Sequence, residues 1–170
     1  MKLIRHLLCA FVLIAQLEGV AKTPTEPVQN DFFSAAFKKP IFGDLTFEPD
    51  PSQPLLLLFF EPNCTWCLKQ SKVLNLLGSC EKAFSVAGIG VNGNLLALKK
   101  MGWQLKANYP LYLATPAFLK RVPAIEATPT LLWVDAKGVV QGQHRGFLPF
   151  SLLVNQLSQQ VLLNCAELSA

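Results

Sequence analysis

"LLLLFFEPNCTWCLKQ", residues 55–70, runs from six unbroken apolar residues into two cysteines with two residues between them, and then into a mixed polar stretch. Leu55 to Phe60 shows no alternation, which suits a strand covered on both faces. Pro54 and Pro62 bracket it at strand length. From Thr65 to Leu77 the apolar positions Trp66, Val73, Leu74, Leu76 and Leu77 fit a helix that Gly78 is placed to end. Cys64 and Cys67 therefore fall where a central strand hands over to a helix. There the free N–H groups and the helix dipole favour a thiolate on the first sulfur.

Such a pair can clamp a metal, staple the chain or act as a redox centre. A zinc clamp wants a second closely spaced pair of cysteines or histidines, and after the first 21 residues His144 is the one histidine left. A staple across so short a loop constrains the unfolded chain little. In the redox reading Cys64 is the nucleophile. Cys67, one turn into the helix, attacks the mixed disulfide formed on Cys64 and releases the substrate.

The chain of 170 residues is the size of one domain, and its 51% apolar content is enough for a core. Residues 1–21 read as an export signal: Lys2 and Arg5 start it, Leu7 to Leu17 form an apolar run, and Gly19-Val20-Ala21 offers small residues for cleavage. A retained membrane anchor is the alternative, although the run is short for a bilayer and Glu18 suits a span poorly. Cys9 lacks the small residues that would precede a lipid-attachment site. Losing residues 1–21 removes two cations and one anion, which changes the net charge from +4 to +3. No cluster of Lys and Arg stands out, so nucleic acid is not an expected partner and anionic lipid is a poor one. Cys64, Cys67, Cys80 and Cys165 remain, an even number that export would turn toward disulfide chemistry.

Residues 22–30 form a flexible leader with two prolines, and the folded domain is expected over 31–170. Asp31 can cap a short helix over 32–38. After the helix of 65–77, "AFSVAGIGV" (83–91) reads as a second strand, and 95–101 as a helix capped by Asn92 or Asn94. An extended piece at 109–113 and a short helix at 116–121 follow. Strands at 130–134 and 139–143 flank the turn Asp135-Ala136-Lys137-Gly138, and Pro149 opens a last helix to Leu163. The order predicts an α/β fold with helices on both faces of a central mixed sheet.

"LLLLFFEPNCTWCLKQ", "EATPTLLWVDAKGVV" and "HRGFLP" together resemble the thioredoxin superfamily, over nearly the whole chain from Asp31. The resemblance implies a thioredoxin-like fold and assigns Pro129 as a cis proline beside the redox cysteines, with Thr128 pairing to an extended substrate. Phe60, Pro62 and Trp66 would shape an apolar rim. "FEPNCTWC" looks most like the periplasmic disulfide isomerases and their single-domain relatives, whereas thiol-reducing exported members carry a tryptophan before the first cysteine and a proline between the pair. The segment 22–53 is too short for the isomerases' dimerisation domain, so a monomer is expected. Where thioredoxins carry a buried carboxylate, this chain has Leu58; Glu61 is the nearest acid that could shuttle protons.

In that fold the active-site helix and the last helix share a face and run the same way, which implies a structural disulfide between Cys80 and Cys165. His144 falls near the active-site pole. Together with the two cysteines it would serve the alternative of a copper-delivery protein, whose cysteines stand one residue further apart. The function implied is a periplasmic thiol–disulfide oxidoreductase of reductase or isomerase type. No cofactor is expected, the substrates are cysteine-containing exported proteins, and a membrane or periplasmic partner resets the pair. A non-catalytic binding module of a larger assembly is a further alternative.

Overall fold

The computed structural model describes residues 28–43, 49–50, 53–77 and 84–158. The expected export signal, most of the leader, Cys80 and Cys165 with their predicted disulfide, and the last helix beyond Ser158 lie outside the described residues.

Strand β1 (Leu55–Phe60) is buried at all six positions because it is central and covered on both sides. Its side chains divide by parity. Leu56, Leu58 and Phe60 join one core with α2 (Thr65–Leu77), α3 (Leu95–Leu105) and α5 (Phe150–Ser158). Leu55, Leu57 and Phe59 join a second core with α1 (Val28–Ala36) and α4 (Pro116–Leu119). The expectation of helices on both faces is met. An unbroken run of large apolar residues is what a strand between two helix layers demands.

The sheet has the order β3-β2-β1-β4-β5, with β2 at Ser85–Gly90, β3 at Leu111–Leu113, β4 at Thr130–Val134 and β5 at Val140–Arg145. β1 runs parallel to β2, with Phe60 opposite Gly90, and antiparallel to β4, with Phe59 opposite Thr130. β3 would be an open edge, but Lys39–Ile41 lies along it: Ile41 N–H donates to Leu111 O at 2.8 Å, and Leu113 N–H donates to Lys39 O at 2.8 Å. The edge is thereby denied to other chains.

The second strand, the extended piece and the short helix are each shorter than expected, at Ser85–Gly90, Leu111–Leu113 and Pro116–Leu119, and three further boundaries differ for identifiable reasons. α1 covers Val28–Ala36 rather than 32–38, so Asp31 stands inside the helix instead of capping it. α3 continues through Gly102 to Leu105. A Cβ on Gly102 would come within 2.8 Å of the Phe42 ring, so the glycine serves a close approach rather than ending the helix. Lys106, in the left-handed region, closes it, while Asn94 caps its start by accepting from Ala97 N–H. β5 is Val140–Arg145, not 139–143. Asp135 Oδ1 accepts from both Lys137 and Val139 N–H groups, which keeps Val139 in the turn.

Candidate active site

The pole at the C-terminal end of β1 gathers the cysteines. After Phe60, the turn through Pro62 and Asn63 puts Asn63 in the left-handed region at φ 63° and delivers Cys64 to the residue before α2. Cys67 lies in the first turn of α2, fully buried, and Cys64 is half-buried. The two are joined by a disulfide, with Cα atoms 5.2 Å apart. The backbone N–H of Cys67 points at Cys64 Sγ, at 3.1 Å. The same N–H is shared with Cys64 O at 3.1 Å, and a helix-start donor beside the first sulfur helps to hold negative charge there when the bond opens.

The second component comes from β4. Because Thr130 is paired with Phe59, Pro129 stands one step further on, beside the end of β1 where Cys64 leaves it. The Thr128–Pro129 peptide is cis, as the resemblance implies, and Pro129 is buried. Pro129 O accepts from Gly146 N–H at 2.8 Å, and Thr130 Oγ1 donates to Ala127 O at 2.7 Å, so both sides of the loop are tied down. Thr128 Oγ1 is buried without a hydrogen-bond partner. An ion pair between Arg145 and Glu126, 2.5 Å apart and half exposed, joins the approach to this loop with the end of β5.

The third component is the segment between β5 and α5. Phe147 lies against Trp66 with ring centroids 5.7 Å apart, and Lys69 Nζ stands 4.0 Å from the indole centroid on the same ring. Trp66 remains half exposed beside Phe147, whereas Phe60, expected at the apolar rim, is wholly buried in the α2-side core. Gln70 holds the segment in place. Its side chain is wholly buried, its Nε2 donates to Leu148 O at 3.3 Å, and its Oε1 accepts from Leu148 N–H at 2.7 Å. Gln70 and Phe147 are not among the site residues expected from the sequence. The available signal was a polar residue on the core-facing stripe of α2, three after Cys67, where burial demands partners.

Glu61 is turned to the other side of the pole, where its carboxylate accepts from Asn92 Nδ2 at 3.0 Å. Leu58 is buried in the α2-side core, so the position that carries the thioredoxin acid is apolar here. His144 lies within β5 opposite Leu131 rather than in the loop beyond it. Among the described residues, no three His, Cys, Asp or Glu side chains gather as metal ligands.

This architecture recurs in solved structures. An uncharacterized thioredoxin-like protein from Porphyromonas gingivalis superposes with a TM-score of 0.54 at 18% identity, over 66% of this chain and 78% of its own. The chain has the thioredoxin-like fold. A secreted disulfide oxidoreductase of Mycobacterium tuberculosis, homologous to E. coli DsbE, matches with a TM-score of 0.53 at 14% identity, over 64% of this chain and 82% of that one. A thiol-disulfide isomerase from Corynebacterium glutamicum matches with a TM-score of 0.53 at 17% identity, over 65% and 82%. No protein-family model matches the chain, and no curated protein matches it in sequence. A thioredoxin-like fold with a disulfide-bonded CxxC at a helix N-terminus supports thiol–disulfide exchange.

Proposed function

We propose that this chain is an exported, periplasmic thiol–disulfide oxidoreductase of reductase or isomerase type, acting on cysteines of other exported proteins. The observation that carries the reading is the Cys64–Cys67 disulfide, with a fully buried Cys67 whose N–H is aimed at the accessible sulfur. The likeness to secreted and isomerase proteins of the same fold supports the direction of the assignment.

In the reductive direction Cys64 begins as a thiolate and attacks one sulfur of a substrate disulfide. A mixed disulfide forms, and the other substrate sulfur leaves as a thiolate. Cys67 then gives up its proton and attacks Cys64 Sγ. This forms the intramolecular disulfide and expels the second substrate sulfur, so two electrons pass to the substrate. In isomerisation the substrate's own thiolate displaces Cys64, and the pair ends reduced. The Thr128-Pro129 loop lines the entry, with Trp66, Phe147 and Pro62 as the apolar side. A proton relay through Glu61 requires its carboxylate, which accepts from Asn92, to turn toward the sulfurs. A membrane or periplasmic redox partner returns the pair to its starting state, and the protein works as a monomer.

Equilibration against glutathione decides between the directions. A potential near −270 mV marks a reductant and one near −120 mV an oxidant, on the scale spanned by thioredoxin and DsbA, and an isomerase lies between them. Cys64→Ser abolishes insulin reduction, and Cys67→Ala accumulates mixed disulfides. Undiminished turnover in Cys64→Ser would overturn the proposal.

A further inference from the structure

The outer face of α3 is apolar where the fold does not require it. Leu98, Met101, Gly102 and Leu105 turn into the core, and yet on the opposite side Leu96 is 78% exposed and Trp103 74% exposed. They are seven residues apart, two helical turns, and so lie on one stripe. Exposed Lys99 and Lys100 stand between them, and exposed Lys106 follows at the helix end. From Asn94 to Ala107 there is no acidic residue. Phe42 braces the indole of Trp103 edge-on, with centroids 5.3 Å apart, at the place where Gly102 leaves room for it.

We propose that this face seats the protein on an anionic membrane surface, with Leu96 and Trp103 entering the interface and Lys99, Lys100 and Lys106 meeting lipid phosphates. Read along the chain these lysines do not stand out; folding sets them around two exposed apolar side chains. Three features favour a bilayer. The apolar groups project outward, which a deformable medium accommodates without a matching pocket. An indole beside aliphatic and basic groups is the composition of interfacial helices. The charge is of one sign, and a second copy of this chain would bring lysines against lysines. Among the described residues no helix is long and apolar enough to cross a membrane.

The orientation has a consequence that rests on the exchange function proposed above, whereas the binding itself does not. α3 starts beside the cysteine loop: Asn92 bonds Glu61, and a Cβ on Gly93 would lie 2.6 Å from Pro62. Seating α3 therefore holds Cys64 close to the headgroup level, within reach of a membrane-borne thiol partner.

The test is co-sedimentation of the full chain with phosphatidylglycerol–phosphatidylcholine vesicles and with phosphatidylcholine alone. Quenching of tryptophan by lipids brominated on the upper acyl chain is measured alongside. The anionic vesicles bind the parent. Lys99→Gln with Lys100→Gln weakens that binding roughly 30-fold, at about fivefold per lysine held at an anionic surface. Leu96→Ser with Trp103→Ser removes it, and Trp103→Phe loses the bromolipid quenching. Both double variants keep the parent's circular dichroism, since all four positions are exposed. Equal sedimentation of parent and Leu96→Ser/Trp103→Ser, which would assign attachment to another segment such as residues 1–21, overturns the proposal. So does a solution dimer that dissolves in that variant.

Discussion

Gln70 grips the backbone of Leu148 at both ends, donating to its carbonyl at 3.3 Å and accepting from its N–H at 2.7 Å, across 78 positions of sequence. This double bond fastens the cysteine-bearing helix to the segment whose Phe147 lies on Trp66. Replacement by leucine keeps the bulk and leaves a buried N–H and a buried C=O unpaired. Each such group costs about 1–3 kcal/mol. Gln70→Leu is expected to lower the urea midpoint accordingly, and the freed Phe147 should change the fluorescence of Trp66. A variant as stable as the parent would show that water or local rearrangement satisfies Leu148.

The division of labour between the sulfurs predicts an order of modification. Cys64 is half-buried and receives the helix N–H; Cys67 is fully buried behind it. Alkylation follows the accessible thiolate. In the reduced protein a limiting pulse of iodoacetamide at neutral pH should label Cys64 first, as mass mapping of peptides would record. Preferential labelling of Cys67 would reverse the assigned roles.

How far the sequence disclosed these features depends on how local their causes are. β1 and α2 fall at Leu55–Phe60 and Thr65–Leu77 as expected, because prolines, an unbroken apolar run and helical spacing all act within a few residues. The cysteine pair is legible for the same reason, whereas the cis proline at 129 follows only from the resemblance to the thioredoxin superfamily. The expected end of α3 at Met101 falls four residues short, and the glycine that follows it meets Phe42, a neighbour from another part of the chain. Gln70 was passed over because its partner is a distant backbone segment, and no local pattern announces that. His144, just past the strand expected at 139–143, falls inside β5, which pairs with β4 as far as Arg145.

Tyr109 gives the fold a measurable response to alkali. Its hydroxyl is buried in the α2-side core, and burial pushes its pKa well above the ordinary value, against the smaller opposing effect of the 2.7 Å hydrogen bond with Ser71. A folded-state pKa above the unfolded one means that the folded state holds the proton more tightly. The contribution is complete below the unfolded value of about 10 and is lost as pH rises from there toward the folded value. Urea midpoints should therefore fall more steeply above about pH 10 in the parent than in Tyr109→Phe. Near neutral pH the variant should be weaker by about 0.5–1.5 kcal/mol, for the lost hydrogen bond. Parallel alkaline slopes in the two proteins would contradict this account.

Gly142 tests whether the β4–β5 pairing depends on the indole of Trp133. The two residues are opposite one another across the strands, and a Cβ on Gly142 would stand 2.3 Å from Trp133 Cε2. The ring is nearly fully buried in the α2-side core, so it has little room to withdraw. Overpacking of this kind costs about 1–3 kcal/mol. Gly142→Ala should lose stability in that range and also loosen β5, which among the described residues pairs with the sheet only through β4. Faster amide exchange along Gln141–Arg145 than along β1 would accompany the loss. Unchanged exchange and an unchanged midpoint would show that the ring can slide aside.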